Sequence, residues 1–417
     1  MNRIHVFIIG LTLSLAAGCL TFMASRQTPE FLLEPGHDDA YFGADISRIT
    51  ANLTDRKSSY ARTSVHPLAP LFLTMPVYAM SLVFHIPRLL AMHLLIAINA
   101  TFLSGILFAI LYRITGRLLD SLLFFLLAGS SAACWAWLSI PESFTFGSTT
   151  ILLAVLAASL PLCSKRLWTH YAIGVATMAI TITNWMAGIL YSVCFLGWKR
   201  ALSVALHVFA LVTLLWGAQK YVFPSSEFIL GSTNEMSFLN KKGVRQTTLK
   251  FFLHAYATPD PVVSRQLKNI HPKQKIMSIN ASSMSAFRRI RLDAAYVAWG
   301  ALLVLGAVAL RRATGVDPAF RLLLALLLGG QYALHLVYSG QTFIHSLHWL
   351  PLMVVACSVA SQTPFRKVAL SLAALTVVLG LSLNVPFRQK SMDLITGFST
   401  TGGTAASSAP DAPEPSL

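Results

Sequence analysis

Charge is what this chain of 417 residues has least of: only 12% of its positions are Asp, Glu, Lys or Arg. An ordinary soluble domain carries roughly 25%, so an ordinary cytosolic enzyme is excluded. Intrinsic disorder is excluded too, because 55% of the residues are hydrophobic and such chains bury enough apolar surface to order. Cysteine is scarce: Cys19, Cys134, Cys163, Cys194 and Cys357 each sit in or beside an apolar run, and none forms a CxxC pair. That argues against a zinc ribbon or a disulfide scaffold and leaves small packing residues. No Walker loop, GxGxxG, HExxH or GxSxG is present, so soluble-type nucleotide or hydrolase chemistry has no support.

What the chain does have is length after length of apolar sequence. Runs of about 18 to 22 residues mark transmembrane helices, and apolar segments of that length or somewhat shorter fall near 4–24, 68–86, 89–112, 118–138, 143–163, 168–183, 188–198, 201–220, 294–310, 320–338, 347–363 and 368–384. The expected fold is an all-α polytopic membrane protein with about 11–13 transmembrane helices. Leu15-Ala16-Ala17-Gly18-Cys19 has the look of a lipoprotein cleavage box, but the many spans downstream favour an uncleaved first helix. The stretches 25–67 and 221–293 are too polar to span and too long for tight turns. Residues 391–417, rich in Ser, Thr, Ala, Pro and Gly towards their end, read as a disordered tail.

The formal net charge of +16 would suggest nucleic acid in a soluble protein. In a membrane protein it records topology, because Lys and Arg collect in short cytoplasmic loops. Arg113 with Arg117, Lys165 with Arg166, Lys199 with Arg200, Arg311 with Arg312, and Arg366 with Lys367 each fall between spans. With these clusters and Arg3 inside, the opposite side receives 25–67, 139–142, 184–187, 221–293 and 339–346. No nucleic-acid partner is then needed. The rule also demands an odd number of crossings over 67–112, a stretch broken by Pro67, Pro70, Pro76 and Pro87, so either 68–86 is partly re-entrant or the stretch is subdivided further. Likewise 168–198 must cross twice, through short helices meeting at Asn184-Trp185.

On that outer face the first loop opens Gly36-His37-Asp38-Asp39-Ala40-Tyr41-Phe42 and ends Arg62-Thr63-Ser64-Val65-His66-Pro67-Leu68-Ala69-Pro70-Leu71. Two adjacent carboxylates serve either as a general base or as ligands for a divalent cation; a solvated acidic turn is the plainer alternative. His66 stands where the chain re-enters the membrane, a depth suited to a lipid phosphate. A third element, Ile140-Pro141-Glu142-Ser143, puts an acidic residue after a proline on a later outside turn.

Together these elements resemble the GT-C superfamily of membrane glycosyltransferases. The nearest-looking branch holds the protein O-mannosyltransferases, the aminoarabinose transferases and the lipopolysaccharide-core glycosyltransferases. Asp38-Asp39-Ala40-Tyr41 matches the branch's opening Asp-Asp/Glu-x-x-Tyr/Phe element. His66-Pro67-Leu68-Ala69-Pro70-Leu71 matches its closing element, with Leu68 where a second proline is common. Glu142 replaces the usual Asp. The resemblance covers about the first 200 residues, and the rest matches only as hydrophobic spans.

The resemblance implies a polyprenyl-phosphate-linked sugar donor, a cell-envelope acceptor (lipid, glycan or protein) and transfer with inversion. It implies a multi-pass location among the lipids of a bacterial inner membrane, with the active site facing the periplasm. Asp38 is then the candidate general base and Asp39 its partner, the pair doubling as candidate metal ligands; no other cofactor is indicated. His66 is the candidate contact to the lipid phosphate. Arg62, Tyr41, Glu142 and His345 are candidate substrate contacts, Tyr41 fitting interfacial packing as well. Residues 1–220 form the catalytic module, 221–293 a basic outside loop suited to act as a lid, and 294–390 the C-terminal helices. The loop would carry Lys241, Lys242, Arg245, Lys250, Arg265, Lys268, Lys273, Lys275, Arg288, Arg289 and Arg291 either towards an anionic acceptor or, as a solvated surface, onto anionic headgroups. His335, His345 and His348 lack a carboxylate neighbour in sequence and read as cavity-lining rather than metal-binding. Broken helices near 68–87 and 184–188 also suit a transporter or flippase. That class, however, places ionisable groups near mid-membrane, where this chain has few. A non-catalytic scaffold would leave Asp38 dispensable.

Overall fold

The computed structural model describes residues 3–229, 243–266, 274–280, 284–338 and 342–402. In chain order, α1 (Arg3–Arg26) is followed by the short α2 (Glu30–Leu33), α3 (Ile46–Thr54), α4 (Met75–Phe84) and the long α5 (Arg88–Thr115). Then come α6 (Leu118–Gly129), α7 (Ala132–Trp137), α8 (Ser143–Ser159), α9 (Pro161–Ser164), α10 (Leu167–Ile180), α11 (Trp185–Leu196) and α12 (Trp198–Val222). After α13 (Val244–Leu249), strands β1 (Asp260–Gln266) and β2 (Gln274–Asn280) form an antiparallel hairpin, Asp260 opposite Asn280. The chain ends with α14 (Ala286–Arg312), α15 (Pro318–Val337), α16 (Leu350–Ser358) and α17 (Arg366–Gly402).

The breaks between helices follow local chemistry. Gly116 closes α5 at φ 63°, a left-handed cap that a side chain would strain. Ser131, Ser285 and Asp317 accept backbone N–H bonds at the starts of α7, α14 and α15, satisfying donors a helix leaves orphaned. Between α1 and α5 the helices meet on small residues. A Cβ added to Gly10 would lie 2.7 Å from the Phe108 ring, and one on Gly18 2.0 Å from Thr101 Oγ1. This ladder runs α1 antiparallel to α5.

Contacts sort the bundle into two ends. Arg113 donates to the Ser159 carbonyl, Gln362 to that of Thr115, and Arg366 grips Asp120 through both carboxylate oxygens at 2.6 and 2.7 Å. His170 joins Ser164 to Ser192, bringing the Lys165 and Lys199 turns level. A Cβ on Gly315, just past Arg311 and Arg312, would lie 3.6 Å from Gln362 Oε1, so all five basic clusters gather at one end, and the first loop, the 140–142 turn and Asn184 gather at the other. Among the described residues, six helices are long and apolar enough to span, or seven if the bent pair Thr342–His348 and Leu350–Gln362 counts as one. The shorter α6, α8, α10 and α11 complete the passage back and forth, so the expected 11–13 full spans resolve into fewer long ones plus short helices. Segment Pro70–Phe84 stays at the loop end: Thr74 and Tyr78 bond the Asn52 and Thr54 carbonyls, and Arg88 donates to Thr54 as α5 departs.

Two boundaries differ from expectation. Helix α17 continues to Gly402 with Ser391 and Ile395 buried, so the tail does not begin at 391; residues 403–417 lie outside the described residues. Residues 251–260, expected in an outside loop, are buried inside the bundle: Phe251, Ala255, Tyr256, Ala257 and Thr258 are fully enclosed. Trp299, about 20 Å along α14 from Arg312 at 1.5 Å per residue, donates its indole N–H to the Phe252 carbonyl at 2.7 Å. Trp349 does the same for Phe251 and Asn384 for Tyr256, while Ala132 and Ala133 donate to Tyr256 and Ala255. Irregular backbone at membrane depth is tolerated only where protein satisfies it, and these donors do so. Asp260 anchors the exit through Arg288 and Lys390. The segment is an embedded plug; of the lid residues named above, Lys241, Lys242, Lys268 and Lys273 lie outside the described residues.

Candidate functional site

The first loop folds back on itself at Asp39, which takes φ 68° and accepts the Gly43 N–H while donating its own to Ala44. Asp tolerates this left-handed geometry better than most residues. Phe42 adopts φ 52° and is held there by stacking on Phe387 at 5.6 Å and edge contacts to Trp137 and Phe343. Tyr41 is fully buried, its hydroxyl donating to the Ala136 carbonyl and its ring edge-on to Trp137. Burial pushes its phenol up to about 12. Tyr41 thus packs in the core under the loop rather than at a membrane interface, its apolar ring worth more against Trp137 than in water.

Asp38 works on α3. Its Oδ1 accepts from Ser47 Oγ at 2.6 Å and from the Arg48 N–H at 3.1 Å, capping a helix N-terminus from outside the helix. Glu142 reaches the same terminus: Oε1 accepts the Asp45 N–H at 2.8 Å, and Oε2 the Ser143 N–H at 3.0 Å. One carboxyl therefore caps α8 and ties it to α3. Arg48 pairs with Asp45 between the two acids. Burial, followed by the neighbouring Asp45 charge, pushes the Glu142 carboxyl up to about 8, against the pull of Arg48 and the two N–H donors.

His66 is enclosed beside them. Its Nδ1 donates to the Ile180 carbonyl at 2.8 Å, so Nε2 faces Ser143 Oγ at 3.4 Å as an acceptor. Burial holds it down to about 3, with Arg62 and Arg48 adding to the effect and the Ile180 bond opposing it; the imidazole is neutral. The backbone on either side pairs with α10 and its exit, Leu68 N–H to Ala179 and Ile182 N–H to Val65. Arg62, His66, Glu142 and Ser143 line one cavity, walled by Ile49, Leu73 and Phe146. Its volume is about 30 Å³, room for little more than a water. An open cleft of about 690 Å³ at the same end carries Arg56, Lys57 and Arg88 with Asp55.

Behind the cavity α8 presents a polar seam. His345 lies 4.3 Å from the Phe144 ring and 5.2 Å from His335, and His348 5.9 Å from His345, centroid to centroid. Gly147, one turn below Ser143, lets Asn184 and His348 approach; a Cβ there would stand 2.5 Å from Asn184 Nδ2 and 2.7 Å from His348 Nε2.

The structure thus brings Arg62, His66 and Glu142 together, with His345 close behind. Asp38 stands on the α3 terminus at the edge of this group, and Asp39 turns the loop. Among the described residues no three of His, Cys, Asp and Glu are grouped to hold a metal ion. Asp38 Oδ1 already accepts two hydrogen bonds in this arrangement. Sequence reasoning missed Arg48, Ser143 and the Arg56–Lys57–Arg88 cleft. Arg56-Lys57 was visible as a dibasic pair in an outside loop, but Arg48 and Ser143 carry no signal short of the fold. Comparison with family models, with curated proteins and with solved structures returns no match to this chain.

Proposed function

We propose that the chain is a membrane glycosyltransferase of GT-C type, moving a sugar from a polyprenyl-phosphate donor to a cell-envelope acceptor. The observation that carries this reading is the convergence of Arg62, His66 and Glu142 on one cavity at the end opposite the five basic clusters of the short loops, with Asp38 on the adjoining helix terminus. The positive-inside rule assigns the basic end to the cytoplasm, so the site faces the periplasm of a bacterial inner membrane. The acceptor hydroxyl oxygen attacks the anomeric carbon and passes its proton to the Asp38 carboxylate. The bond from that carbon to the phosphate oxygen breaks, and its electron pair stays on the lipid phosphate. Arg62 is the fixed cation for that charge. His66, neutral in the closed site, gains a proton at Nε2 when a phosphate arrives, because an adjacent anion favours the charged imidazole. A sugar exceeds the closed cavity, so α3 and the loop 37–44 move to admit it. The cationic Arg56–Lys57–Arg88 cleft suits an anionic acceptor.

The test pairs Asp38→Asn with Arg62→Gln in a deletion strain, reading surface glycans by mass spectrometry. Loss of a general base costs about 10²–10⁴-fold, so Asp38→Asn should abolish the glycan while the protein still folds. Wild-type glycan from a folded Asp38→Asn protein overturns the assignment. Product formed by purified protein in detergent, where no compartments exist, separates transfer from transport or flipping.

A further inference from the structure

A second cavity opens on the opposite side of α7, away from the loop site. It has a volume of about 340 Å³ and runs between α1, α5, α6 and α7. On α1 it is lined by Leu13, Ala16, Ala17, Leu20, Thr21 and Ala24, which share one helix face. From Leu13 to Ala24 the groove extends about 16 Å at 1.5 Å per residue, half the hydrocarbon thickness of about 30 Å. It therefore matches one leaflet, on the loop side. Its floor is kept low by Gly129, where an added Cβ meets nothing within 4 Å.

The groove is mostly apolar, with Thr21 and Ser104 along it, and polar at its outer end. Arg388 is held there by the Trp135 and Ala24 carbonyls at 2.8 and 3.3 Å. Beside it, Ser139 is 3% exposed, and both Ser139 Oγ and Trp135 Nε1 are buried without a hydrogen-bond partner while lining the cavity. A hydroxyl, an indole N–H and a guanidinium at the mouth of a hydrocarbon slot are donors waiting for an anion.

We infer that this groove holds a phospholipid of the loop-side leaflet, one acyl chain lying between α1 and α6 and its phosphate bonded by Arg388, Trp135 and Ser139. The groove shares no lining residue with the Arg62–His66–Glu142 cavity, so this lipid is not the sugar donor. The inference stands whether or not the chain transfers sugars. The bound lipid splints α1 to α7, whose next turn carries Glu142.

The experiment is native mass spectrometry of the full chain, delipidated and titrated with phosphatidylglycerol, phosphatidylethanolamine or undecaprenyl phosphate. Wild-type protein should retain one glycerophospholipid. Arg388→Gln should weaken phosphatidylglycerol binding about tenfold, the loss of one charge-assisted contact. Gly129→Trp, which fills the slot without touching the headgroup donors, should abolish retention in protein that still elutes as a folded species. Equal retention by wild type and Gly129→Trp overturns the site. Retention of undecaprenyl phosphate alone overturns the assignment to a bilayer phospholipid.

Discussion

Glu142 is placed to make stability depend on pH in a direction opposite to most carboxylates. Its carboxyl titrates near 8 in the fold and near 4.3 in an unfolded chain. The folded state therefore favours the protonated form. This group's contribution is fully present below about pH 4.3 and is lost as pH rises to about 8. At about 1.4 kcal/mol per pH unit the window is worth at most about 5 kcal/mol. Glu142→Gln removes the titration but supplies one carbonyl where Asp45 and Ser143 each donate an N–H. The protonated acid's hydroxyl oxygen still has a lone pair for the second N–H, whereas an amide NH₂ accepts nothing, so the variant leaves one buried donor unpaired at a cost of about 1–3 kcal/mol. The two effects cross: the variant is the less stable protein at pH 5, and its deficit shrinks or reverses by pH 8.5. Thermal unfolding of both proteins in the same detergent, from pH 5 to 9, measures the crossing. A stability difference that stays constant with pH would refute the burial argument for Glu142.

Other expectations follow from the same geometry. Gly147→Ala drives a methyl into Asn184 and His348 and should cost about 1–3 kcal/mol as overpacking, read as a lower unfolding temperature; an unchanged temperature means the seam is looser than described. Trp299→Phe keeps the ring but strands the Phe252 carbonyl, costing about 1–3 kcal/mol and opening 244–260 to proteolysis. Lys57→Cys and Arg312→Cys, both at exposed positions at opposite ends, should react with impermeant maleimide from opposite sides of the membrane. Labelling of both from one side would dismantle the two-ended arrangement.

Much of the architecture was legible because hydrophobic length and loop charge report on the bilayer directly. The alternation of Arg113, Lys165, Lys199, Arg311 and Arg366 separated the two ends, and the prolines of 67–87 marked a segment that does not cross. The site was legible in part. His66 and Glu142 were found through short motifs and Arg62 by its nearness to His66 in the loop, and the three meet in one cavity. Tyr41 was misjudged because sequence shows an aromatic beside two acids without showing the Trp137 that buries it. Asp38 was read for its chemistry alone, whereas its contact with Arg48 N–H and Ser47 depends on where α3 begins. Its capping duty and a base's duty are compatible only if the second carboxylate oxygen serves the substrate, and that sets the geometry any bound acceptor must meet.

The plug at 251–260 shows why hydropathy alone misplaced a segment. A spanning helix satisfies its own backbone, so its side chains can all be apolar and the run announces itself. A re-entrant segment cannot, and the donors it needs must come from elsewhere in the chain. Here they are the indoles of Trp299 and Trp349 and the amide of Asn384, each a polar group inside or beside an apolar run with no charge to pair. Trp137 plays the same part for the Phe343 carbonyl, where the chain turns irregular before α16. In a charge-poor chain, then, an uncharged donor inside a span is the mark of unwound backbone opposite it. Asn184, enclosed beside Gly147 and His348 where α10 breaks into α11, stands apart from this class: its side-chain amide is buried and bonds no carbonyl.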